Sequence, residues 1–115
     1  MDERLERALK FANYRKTLAN QKQNILERMR VLQTVHYNRG LFDANSTTIS
    51  FVKTFVDLGK TSTIVVDKKE NLITIDDLQD FLETLVSAYV ESVNECKPQL
   101  EKIEKSRSIK KLMDW

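Results

Sequence analysis

A chain of 115 residues with 41% apolar and 31% charged side chains can build one domain with a modest core, and is too apolar for a disordered segment. Two Gly and one Pro leave a helix-compatible sequence, and a lone cysteine, Cys96, excludes an intrachain disulfide and points to a reducing compartment. The longest apolar run is far short of the roughly 20 residues that span a bilayer, and Met1 is followed by alternating charge and Leu rather than a secretory core, so no membrane association is expected.

The first element is a long helix over about residues 2–37. Phe11, Leu18, Ile25 and Leu32 recur every seven residues, and Leu5, Leu9, Ala12, Ala19, Leu26, Met29 and Val35 widen that stripe. Gln21 and Arg28 make its second heptad position mixed. At about 1.5 Å per residue the helix would be roughly 50 Å long, and a one-sided stripe of that length needs a partner. Asn38-Arg39-Gly40 reads as its C-terminal stop, since Asn and Gly accept left-handed backbone angles.

A small head follows, over about residues 40–76. Leu41-Phe42 is a candidate short strand, and Asp43 to Ser46 is a turn cluster rich in helix caps. A short helix is expected over Thr47–Leu58, with Ile49, Val52, Phe55 and Val56 on one face and Gly59 just past its end. Ser62 to Val66 and Ile73 to Ile75 are β-branched around a polar turn, which reads as a hairpin. A lone hairpin is marginal, so it must pack on the short helix or take Leu41-Phe42 as a third strand.

The last long helix is expected over about residues 77–107, with Asp76 as N-cap and Gln79 completing a capping box. Leu82, Val86, Tyr89, Val93, Cys96, Leu100 and Ile103 step by 4, 3, 4, 3, 4 and 3, a heptad seam. Pro98 falls opposite that seam and the phase survives it, so a kinked continuous helix is expected. Cys96 on the seam reads as a small buried hydrophobe. The tail, about 108–115, has weak periodicity in Ile109, Leu112 and Met113 and ends on Trp115, as a frayed end or a docking peptide.

These pieces imply a mainly α (α+β) fold: two long antiparallel helices form a stem, joined by a head with one short helix and a β-hairpin. Within one molecule the seam would set Phe11, Leu18, Ile25 and Leu32 against Leu82, Val86, Tyr89, Val93, Leu100 and Ile103. Leu5, Leu9, Leu26 and Val31 are then left without a partner and form a candidate oligomer face. The net charge of +2 hides a segregation: +5 over residues 1–40, −6 over 41–96 and +3 over 97–115. Arg4, Arg7, Lys10, Arg15 and Lys16 are candidate basic contacts for nucleic acid or an acidic protein surface.

No catalytic constellation is visible. One His (His36) and one Cys make no zinc motif, and two glycines make no phosphate loop. Asp76, Asp77, Asp80 and Glu83 read as helix N-terminal charge rather than a calcium loop. The expectation is a non-enzymatic protein without cofactor or metal, whose partners are itself and other proteins.

Three stretches carry a resemblance. They are the start, Asp2-Glu3-Arg4-Leu5-Glu6-Arg7-Ala8-Leu9-Lys10-Phe11-Ala12-Asn13-Tyr14-Arg15, the turn Gly40-Leu41-Phe42, and Lys105-Ser106-Arg107-Ser108 with Leu112. Together they resemble a family of small prohead core proteins of T-even-like tailed bacteriophages, part of the internal scaffold around which the head shell assembles. The resemblance implies an assembly role in the host cytoplasm, with scaffold and shell proteins as partners.

Overall fold

A computed structural model describes residues 2–113, with side chains through Ser106. The elements, in order, are α1 (Glu3–Leu32), β1 (Thr34–Tyr37), β2 (Gly40–Asp43), α2 (Ser46–Asp57), β3 (Thr63–Val66), β4 (Leu72–Ile75) and α3 (Leu78–Met113). The fold is mainly α, with two long helices, one short helix and two small antiparallel hairpins. Contacts divide the chain into two compact units: Met1–Arg28 with Glu95–Trp115, and Met29–Asn94.

The first unit is a pair of helical segments. Arg28 pairs with Glu95, the Cys96 sulfur lies 3.9 Å from the Ile25 carbonyl oxygen, and Lys22 Nζ lies 3.5 Å from Glu104. Tyr14 donates to the Ser106 carbonyl at 3.4 Å. Descending numbers on α1 meet ascending numbers on α3, so the segments run antiparallel. Leu18, Cys96 and Ile103 are buried between them.

α1 stops at Leu32, inside the second unit and about five residues earlier than expected. Thr34-Val35-His36-Tyr37 alternates branched and aromatic side chains, and as β1 it pairs with β2 in the register Val35↔Phe42 and Tyr37↔Gly40. Asn38 and Arg39 have φ of 46° and 69°, so they form a two-residue hairpin turn rather than a helix stop. Gly40 is a close-approach glycine: a Cβ there would meet Ile73 Cγ1 at 2.7 Å and the Phe42 ring at 2.8 Å.

β3 and β4 pair separately, Val65↔Ile73 and Val66↔Leu72. The expected third strand therefore does not join this hairpin, because β1 has already claimed β2. The two hairpins are instead tied by cross-links: Leu41 donates its N–H to Asp67 Oδ2 at 3.0 Å and accepts from the Lys68 N–H at 2.7 Å, Asn38 Nδ2 donates to the Thr74 carbonyl at 3.0 Å, and Lys68 Nζ pairs with Asp43 at 3.2 Å.

α2 starts where Asn45 caps the Thr48 N–H at 2.9 Å and ends ahead of Gly59, at φ +80°. α3 starts one residue later than its acidic run suggests. Asp77, not Asp76, accepts from the Asp80 N–H at 3.0 Å, and Gln79, outside the box, donates to Glu83. α3 is continuous through Pro98 and passes 107 to reach Met113. The side chains of Ile109, Leu112 and Met113, and all of Trp115, lie outside the described residues.

The core of the second unit gathers Val35, Phe42, Ala44, Val52, Val65, Ile73, Ile75, Leu78, Phe81, Leu82 and Leu85. Phe81 is its centre: the rings of Tyr37 and Phe42 each lie 4.8 Å from it.

Candidate interaction surfaces

The buried face of α3 within the second unit is not the predicted seam. Leu82 is buried and Val93 half-buried, but Val86 and Tyr89 are 40% and 37% exposed. The residues turned inward are Leu78, Phe81, Leu85, Ala88 and Ser92. Both sets obey helical spacing. The inner set wins because it brings Phe81 and Leu85 onto the two hairpins, which bury more apolar surface than Val86 and Tyr89 would. Val86 therefore faces solvent, and Val90, one turn on, joins it at 45% exposure.

Ser92 is the one polar residue on this inner face, and it is satisfied. It accepts from Gln33 Nε2 at 3.0 Å and donates to the Tyr89 carbonyl at 2.7 Å. Gln33 is also buried, and its carbonyl accepts from the Ala44 N–H at 2.7 Å. This pair fixes the place where α1 turns into β1. Leu78, Leu85 and Ser92 are themselves seven residues apart, a second heptad spacing beside the one through Tyr89 and Val93.

Within the first unit, Leu18, Cys96 and Ile103 are buried and Phe11, Ile25 and Leu100 half-buried. A shallow groove of about 490 Å³ runs along this pair, lined by Leu18, Gln21, Ile25, Gln99, Lys102 and Ile103 among others. Leu32 belongs to the second unit and is half-buried. Of the candidate oligomer face, Leu5 and Leu9 are 51% and 46% exposed, Val31 is exposed and Leu26 is half-buried.

The basic candidates Arg4, Arg7, Lys10, Arg15 and Lys16 are all exposed. At about 100° of rotation per residue, Arg4, Arg7 and Arg15 fall on the side of Phe11, where the Arg15 guanidinium stands 5.7 Å from the ring centroid. Lys10 and Lys16 point elsewhere. The five do not make one continuous stripe.

Among the described residues, two groups titrate away from their ordinary range, and both hold structure. Burial, then the hydrogen bond donated to Asp80 at 2.8 Å, pushes the Tyr37 hydroxyl up to about 12. The Asp67 carboxylate is held below the usual range by N–H donors from Leu41, Asn71 and Lys69. Among the described residues, no three His, Cys, Asp or Glu side chains gather as a metal site, and no helix is long and apolar enough to cross a membrane. His36 is exposed on β1 and Cys96 is a buried thiol. Comparison with protein-family models, with curated proteins and with solved structures finds no match to this chain.

Proposed function

We propose that this is a non-enzymatic assembly protein that works by binding copies of itself and other proteins. One observation carries the reading: apolar side chains stay in solvent at helical spacing on both long helices, Leu5 and Leu9 on α1 and Val86 and Val90 on α3. Scattered exposed apolar residues are ordinary, but aligned ones on a helix favour a partner helix. The outer face of the β3–β4 hairpin adds Ile64, Val66 and Leu72. The sequence resemblance supplies a setting, the prohead core of a tailed phage assembled in the host cytoplasm with scaffold and shell proteins.

A second reading rests on the exposed basic side chains of α1, which suit nucleic acid or an acidic protein surface. Their spread around the helix favours it less than a single stripe would. Light scattering across protein and salt concentration, with and without DNA, separates the two. Mass that grows with concentration supports assembly, and a monomer at every concentration contradicts self-association. Retention on DNA that falls with salt supports the second reading.

A further inference from the structure

The exposed apolar faces of the two long helices are bordered by opposite charge. From Arg7 to Leu26, α1 carries five basic side chains and no carboxylate. From Leu78 to Asn94, α3 carries Asp80, Glu83 and Glu91 and no basic side chain. The imbalance extends to the whole units. Residues 1–28 with 95–115 hold 13 basic and 8 acidic side chains, net +5, and residues 29–94 hold 6 and 9, net −3.

Charge and apolar surface share the same faces. At about 100° per residue, Lys16 falls in the sector of Leu5, Leu9 and Ala12, with Arg15 at its flank. By the same count, Glu83 falls in the sector of Val86 and Val90, and Glu91 lies about 100° round from Val90. All four charged side chains are exposed. Asp80 accepts from Tyr37, and Glu83 accepts from the neutral Gln79 in its own helix. Each face thus has the layout of one half of a helix–helix interface, an apolar line edged by charge that selects the partner.

We propose that the Leu5–Leu9 face of α1 in one copy docks on the Val86–Val90 face of α3 in the next copy. The occupant is a second copy because this chain itself carries the complementary charge. The contact is heterologous: it takes a different face from each copy and leaves each copy's other face free, so association propagates from copy to copy. This rests on the assembly reading and names its interface.

The test uses the full chain in sedimentation velocity, with circular dichroism as a folding control. Wild type gains mass with concentration, and high salt weakens the association. E83K/E91K and R15E/K16E each weaken it by roughly tenfold or more, as like charges now oppose, and a 1:1 mixture of the two variants restores it. V86D/V90D and L5D/L9D are each monomeric, yet their 1:1 mixture forms dimers, because one intact contact remains between them. Association of wild type that none of these variants changes overturns this interface and leaves the assembly reading standing. Dimers formed by V86D/V90D or L5D/L9D alone indicate like-with-like pairing and overturn it too. A wild type that is monomeric throughout sinks both. DNA retention abolished by R15E/K16E, with self-association unchanged, assigns the basic face to nucleic acid and overturns the proposal.

Discussion

Arg39 carries a local backbone conformational cost. It holds φ of 69° in the second position of a two-residue hairpin turn where glycine is the favoured residue, and its side chain is exposed. Arg39→Gly should raise the stability of the chain by about 1 kcal/mol, the scale of the left-handed penalty removed, as read from chemical denaturation. Asp67 makes a different prediction. Its carboxylate accepts from three backbone N–H groups, so its pKa in the fold lies below that in the unfolded chain. Its contribution is therefore fully present above the unfolded value of about 3.9, and is lost as pH falls through the lower folded value. Asp67→Asn should flatten that acid limb in melts taken from pH 5 to pH 2, and an unchanged slope would show that Asp67 does not set it. Tyr37 acts at the other end of the scale: its raised pKa keeps the hydroxyl donating to Asp80 until pH approaches about 12.

At the scale of elements, the three helices and the β3–β4 hairpin were legible from spacing, β-branching and capping residues. The β1–β2 hairpin was not. Met29 and Leu32 continue the α1 stripe and Val35 falls on its broader side, so the periodicity alone cannot show that the backbone changes at Gln33. The alternation from Thr34 to Tyr37 was the available signal, masked by the longer helical one. The seam of α3 failed in a related way. A 3.6-residue helix with apolar residues at 78, 81, 82, 85, 86, 89 and 93 permits two overlapping stripes, and only tertiary packing chooses between them. Ser92 decides the matter by experiment. If it faces inward against Gln33, Ser92→Ala leaves a buried amide without its acceptor and should cost about 1–3 kcal/mol. A cost within about 0.5 kcal/mol, typical of a surface site, would put Ser92 in solvent and restore the predicted seam.

For the whole molecule, the candidate surface was half legible. Leu5, Leu9 and Val31 were identified in the sequence as apolar residues without a partner, and they are exposed. Val86 was placed in the core, and it is the hairpins' claim on Phe81 and Leu85 that turns it outward. The charge segregation was visible as runs along the chain, but the division into units regroups it, because Glu95 and the basic residues after it belong with the N-terminal helix. The two exposed faces with opposite borders are what the assembly account depends on. The most direct test is the sedimentation coefficient of the wild-type chain over a wide concentration range at low and high salt. The coefficient should rise with concentration, and salt should suppress that rise. A single concentration-independent monomer at low salt would contradict it.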